Sequence, residues 1–139
     1  MMVRRGLQRM FFEEKAASLP ELTLKTGRRA DLVVLDGKGM VTIVEIKSSI
    51  EDFRVDTKWP DYRDFCDRFY FATHSDVPLE IFPQSEGLIL ADTYGAEIVR
   101  RAEDDKLSAG ARKAITQRFA SAAAERLLMA EWSATGDRL

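Results

Sequence analysis

The chain has 139 residues, 45% hydrophobic and 32% charged, enough for one domain with a real core spanning residues 1–139 and too few for two. Its formal net charge of −2 excludes a polybasic protein that holds nucleic acid by counterion release alone. A single Cys66 and a single His74 exclude an intrachain disulfide framework and a typical zinc centre, so any metal must be held by oxygens.

In "MMVRRGLQRMFFEEKAAS", Leu7, Met10, Phe11 and Ala17 recur at helical spacing, which predicts an amphipathic first helix over residues 2–18 that Leu19-Pro20 ends. "ELTL" then reads as a short strand and Gly27 as a turn. "RADLVVLD" and "MVTIVEIKS" are β-branched runs joined by "GKG", a hairpin signal. Ser49 with Asp52 fits a capping box opening a helix at Ile50, which Trp59-Pro60 interrupts and Pro60 restarts as a turn or helix through Cys66. "RFYFATH" is the next strand and "PLEIFP" a short helical piece. "EGLILAD" and "YGAEIVRRAE" form a second hairpin around Tyr94-Gly95. From Ser108 to Glu131 the chain is Ala-rich, predicting a packing helix with Ile115, Phe119, Ala122 or Ala123 and Leu127 on one stripe. The expectation is an α/β domain built on a mixed sheet, α+β in organisation.

No apolar run approaches the roughly 20 residues that cross a bilayer, and the arginines of "MMVRRGLQRMFF" argue against a signal peptide, so the expected location is the cytoplasm with no membrane partner. Charge is unevenly distributed: residues 1–29 carry seven Arg/Lys against three acids, residues 51–100 five against eleven. A one-sided basic surface is compatible with an acidic whole.

The unusual feature is "VTIVEIKSS", where charge interrupts an apolar strand. Side chains alternate across a strand, so Val41, Ile43, Glu45 and Lys47 share one face. The loop Gly37–Gly39 sets Asp36 opposite Met40, and counting back along both strands sets Asp31 opposite Glu45. Directly opposed residues have Cβ atoms roughly 4.5–5.5 Å apart, a spacing at which two carboxylates repel each other but can share one hard divalent cation. Lys47, one strand period on, is placed to stabilise charge developing on a phosphate. A register slip of one residue would undo the arrangement, and the bland alternative is an ion-pair cluster on a solvated sheet face.

The segment "GRRADLVVLD … VTIVEIKSS" resembles the PD-(D/E)xK nuclease superfamily. That resemblance implies a restriction-endonuclease-like αβββαβ core, here with an added strand pair and a C-terminal helix. "PELTLKTGRRADLVVLD", "IVEIKSSIEDFRVDTKWPDYRDFCDRFYFA" and "GLILADTYGAEIVR" are together similar to the MmcB family of bacterial DNA-repair proteins over roughly residues 3–128. By position the resemblance makes Asp31 and Glu45 the ligands of Mg²⁺ or Mn²⁺, adds the backbone carbonyl of Ile46, and makes Lys47 the catalytic lysine. Ala30 stands where the superfamily name has Pro. The implied activity is metal-dependent phosphodiester hydrolysis in DNA repair, as endonuclease or exonuclease, on damaged, branched or single-stranded DNA. Other repair proteins or a second copy of the chain are possible partners.

Further acids that could join the site are Glu13 or Glu14 on the first helix and Glu21 at the first strand. Arg28 and Arg29 are candidate phosphate contacts at its mouth. Lys58 and Tyr62 match a Gln-x₃-Tyr spacing found in some superfamily members, with Pro60 between them working against a shared helical face. Trp59 and Tyr62 read better as core than as base-stacking residues, His74 as a capping residue, and Cys66 as a buried apolar position. Two other readings stay open: a non-catalytic DNA- or protein-binding module that keeps the fold, and an RNA-directed nuclease with the same site residues.

Overall fold

The computed structural model describes residues 2–136. Its elements run α1 (Met2–Glu13), β1 (Ala17–Thr23), β2 (Arg29–Leu35), β3 (Val41–Ile46), α2 (Ile50–Val55), a 3₁₀ turn (Trp59–Phe65), β4 (Arg68–Thr73), β5 (Gly87–Ala91), β6 (Ala96–Arg100) and α3 (Ala109–Thr135). The six strands form one sheet in chain order. β3, β4 and β5 are parallel to one another, while β1/β2, β2/β3 and β5/β6 are antiparallel. This is the expected mixed α/β architecture, with the second hairpin and the C-terminal helix added after β4.

β3 and β4 are apolar along nearly their whole length because both faces are covered. On one face α1 buries Val3, Leu7 and Phe11 against Leu32, Val34, Val44, Tyr70 and Ile89. On the other, Ile115 and Phe119 of α3 join Tyr62 and Phe82 over Val33, Ile43, Phe69 and Phe71. Trp59 stacks on Phe69 with ring centroids 5.7 Å apart and Phe53 meets Phe71 edge-on at 5.4 Å, so the aromatics after β3 are core, as expected.

Two boundaries differ from the sequence reading. α1 ends at Glu13 instead of running to residue 18: Lys15 takes φ +62, and the amides of Lys15 and Ala16 turn back to the carbonyls of Phe12 and Phe11 in a Schellman-type stop. The chain then enters β1 at once, and Pro20 lies within that strand opposite Leu32. Proline is tolerated there because β1 is an edge strand with no ladder partner on its outer side. At the other end, Leu127 is 63% exposed and not on the core stripe. α3 crosses the sheet edge where Arg118 and Arg126 donate to the β1 carbonyls of Thr23 and Pro20, and its later turns have no sheet beneath them.

Gly6 sets how closely α1 can approach the β5–β6 turn. A Cβ there would lie 2.0 Å from the carbonyl oxygen of Asp92 and 2.4 Å from that of Gly95, both backbone atoms. Gly6→Ala is therefore expected to destabilise by about 1–3 kcal/mol despite alanine's better helix propensity. A fall in the urea midpoint at unchanged m-value would show it, and an unchanged midpoint would count against the close approach.

Candidate active site

The site forms where the β2–β3 ladder opens. Pairing runs from Leu35↔Val41 to Leu32↔Val44, the register that puts Asp31 across from Glu45. At that next position side chains replace the ladder. The Asp31 amide donates to Glu45 Oε2 at 2.8 Å, and the Ile46 amide donates to Asp31 Oδ2 at 2.8 Å. Each carboxylate thus reaches across to the opposite strand's backbone with one oxygen, and the other oxygen has no hydrogen-bond partner among the described residues. β3 meanwhile stays paired with β4: the Lys47 amide donates to the Ala72 carbonyl at 2.9 Å, and the Thr73 hydroxyl donates to the Lys47 carbonyl at 2.7 Å. The backbone of Glu45–Lys47 is held firmly on one side and opened on the other.

Glu45 is 4% and Lys47 6% exposed, which removes the solvated ion-pair cluster as an explanation. The Lys47 ammonium is tethered elsewhere, donating to Asp56 Oδ2 at 2.7 Å. Asp56 ends α2, and its other oxygen accepts the Lys58 amide at 3.0 Å. Burial pushes the Asp56 carboxyl up, but the bonds from Lys47 and the backbone pull it further down, so it stays ionised opposite the ammonium.

Residues 1–134 match the family model described as DNA repair protein MmcB-like. The chain belongs to the MmcB-like family. A solved structure described as the SPO1766 protein of unknown function from Silicibacter pomeroyi is 40% identical to this MmcB-like chain, with a TM-score of 0.88 over 91% of this chain and 86% of that one. No curated protein matches the sequence.

In this MmcB-like protein the electrostatics of the two acids are strained. Burial, then the facing Asp31 charge, pushes the Glu45 carboxyl up to about 8. Burial also raises Asp31, against the pull of the Ile46 amide and Lys47. Two desolvated carboxylates in mutual repulsion are an arrangement that a divalent cation would relieve. Among the described residues no group of three or more His, Cys, Asp or Glu side chains converges to hold a metal; the oxygens that could serve one here are those of the two carboxylates and the backbone carbonyl of Ile46. Such an oxygen set fits Mg²⁺ or Mn²⁺, which keep several waters and need only one or two carboxylates.

The remaining sequence candidates separate clearly. Glu21 lies between the pairs Pro20↔Leu32 and Leu22↔Ala30, hence across from Asp31, whose carboxyl its charge helps to raise. It takes φ +53, is held by Arg126 through its carbonyl at 2.8 Å, and ion-pairs with Arg4 at 3.7 Å and Arg29 at 3.8 Å. Arg28 lies 5.6 Å over the Tyr62 ring, whose hydroxyl donates to the Arg29 carbonyl at 3.1 Å. Glu13 and Glu14 are not at the site: the α1 end that reaches Glu21 is Arg4, and nine or ten residues further along a helix is about 14 Å away. Lys58 is exposed while Tyr62 is buried, so they do not share a face. His74 caps, with Nε2 at 2.9 Å from the Ser48 carbonyl and Nδ1 accepting the Asp76 amide at 3.2 Å. Burial pushes the Cys66 thiol up to about 12, as suits an inert core residue.

Asp56 is the residue sequence reasoning missed. The only available signal was an acid just past the capped helix that follows Glu-x-Lys.

Proposed function

We propose that this protein is a Mg²⁺- or Mn²⁺-dependent nuclease acting on DNA in repair. The observation that carries the reading is the pair of carboxylates, Glu45 buried and Asp31 half-buried, facing each other across an opened ladder with Lys47 one strand period away. The family's description as DNA repair supports the biological setting. Asp31 and Glu45 would hold the cation with the Ile46 carbonyl, and the cation when bound supplies Lewis acidity toward the scissile phosphate and lowers the pKa of a coordinated water. Lys47 offers ammonium N–H donors to a non-bridging phosphate oxygen as negative charge builds there. Asp56 holds that ammonium through a 2.7 Å hydrogen bond. On this reading Glu21 would serve as an auxiliary acid, and Arg28 and Arg29 would contact flanking phosphates.

The test is cleavage of single-stranded, nicked and branched DNA with Mg²⁺ or Mn²⁺ by wild type and by Asp31→Ala. The expected result is metal-dependent cleavage that the substitution removes. Equal activity in both proteins would sink the assignment and leave a binding module of the same fold.

A further inference from the structure

A further concavity lies away from the acids. It is a groove of about 1510 Å³ between the outer side of α1 and the start of β1, floored by Ala16, Ala17 and Ser18 and walled by Arg4, Arg5, Gln8, Arg9, Phe12 and Lys15. We propose that this groove is a track for single-stranded DNA, with Phe12 as a base-stacking platform and Arg5, Arg9 and Lys15 as phosphate contacts. The proposal rests on the nuclease reading, to which it assigns a strand to cut, but it can be tested with no metal present.

Four observations converge on it. First, the groove gathers four cationic side chains against the single Glu13 in a chain whose net charge is −2. Arg5, Arg9 and Lys15 form no ion pair among the described residues, so their charge is not used within the fold.

Second, Arg4 and Arg5 lie at the start of α1, where no acid is present. Cations there oppose the helix macrodipole, a local cost that Arg4 offsets through its ion pair with Glu21 and Arg5 does not.

Third, Phe12 is 80% exposed while its neighbour Phe11 is 7% exposed in the core. A flat aromatic among arginines and a lysine matches unpaired bases strung on phosphates, since every base offers a π-face whatever the sequence. A duplex keeps its bases stacked on one another and would leave Phe12 idle. A lipid surface is disfavoured because the apolar face of α1, with Val3, Leu7 and Phe11, is already buried against the sheet.

Fourth, one end of the groove reaches β1, the edge strand beside Asp31. Arg4 at its upper end contacts Glu21 at 3.7 Å, and Glu21 stands across from Asp31. From Arg4 to Phe12 the helix rises about 12 Å, room for a few nucleotides beside the scissile phosphate.

Fluorescence anisotropy of a labelled oligo-dT in excess chelator, over a range of salt, tests the track where no metal-dependent cleavage can occur. Phe12→Ala should weaken binding about tenfold or more, and Phe12→Trp should restore it. The double reversal R5E/R9E should weaken binding and reduce the magnitude of the log Kd against log salt slope by about 1.4, two phosphates' worth. Reversing two exposed lysines elsewhere, Lys38 and Lys113, changes the net charge equally and should leave binding within about twofold.

No binding by wild type at low salt, a Phe12→Ala affinity within twofold of wild type, or equal losses in both reversals would each overturn the track. Tighter binding of an oligo-U RNA would overturn its assignment to DNA. The two readings fail separately. Groove-dependent binding by a protein that cuts nothing sinks the nuclease alone, and intact cleavage with groove variants binding normally sinks the track alone.

Discussion

Lys47→Met is expected to slow DNA cleavage by about a hundredfold to a thousandfold while cation affinity stays within about twofold or improves. If the proposed nuclease reading holds, the size follows from removing a preorganised donor from a water-poor site, where its charge would act on the developing phosphate charge with little screening. Methionine keeps most of the buried stem, so packing under β3 changes little. Cation binding is spared because the substitution leaves Asp31, Glu45 and the Ile46 carbonyl in place and takes a positive charge away from them. Asp56 loses its partner but is 18% exposed and retains the Lys58 amide, so the stability loss should fall short of the roughly 3–5 kcal/mol seen when a fully buried charge is orphaned. Lys47→Arg should not restore the rate, because a planar guanidinium cannot occupy the ammonium's position against Asp56. Single-turnover cleavage, Mn²⁺ calorimetry and a thermal melt separate the three quantities. Cleavage within about threefold of wild type would remove Lys47 from the chemistry, and lost cation binding would make it a structural support.

The half of the site carried by the hairpin was legible in the sequence because it depends only on local rules. β-branched runs around "GKG" specify two antiparallel strands, the loop length sets the register, and alternation sets the face. The observed pairs from Leu35↔Val41 to Leu32↔Val44 follow that register. The other half depends on contacts that no local pattern records. Asp56 meets Lys47 only because α2 lies across the end of β3, and the opening of the ladder at Asp31 arises because β3 stays with β4. The boundary errors have the same origin. Pro20 reads as a helix breaker and a poor strand residue until β1 is known to be an edge. Leu127 continues an apolar stripe, but what buries such a stripe is the sheet beneath it, and the sheet ends first.

A second large effect is expected at the opposite end of the same strands, where Asp67 joins three elements. Its side chain is fully buried. Oδ2 accepts the Val41 amide at 2.7 Å, Oδ1 accepts the Leu107 amide at 2.9 Å, and the Arg112 guanidinium grips both oxygens at 2.7 and 2.6 Å. Arg112 also donates to the Gly39 carbonyl at 2.7 Å, so one ion pair ties α3 to the β2–β3 loop and the entry to β4. Asp67→Ala would strand the Val41 and Leu107 amides and leave Arg112 half-paired, an expected cost of about 3–5 kcal/mol, visible as a thermal midpoint lowered by roughly 10–20 °C. Burial raises the Asp67 carboxyl, but Arg112 and the two amides outweigh it, so its pKa in the fold lies below the ordinary 3.8. A depressed carboxylate pKa contributes stability that is fully present above the unfolded-state value and disappears as pH falls through the folded one. The wild type should therefore lose this contribution only below about pH 4. Asp67→Ala should be less stable at neutral pH and show a shallower fall in stability below that point. Parallel stability curves for the two proteins from pH 7 to pH 2 would mean that the carboxylate is not the acid-sensitive link between α3 and the sheet.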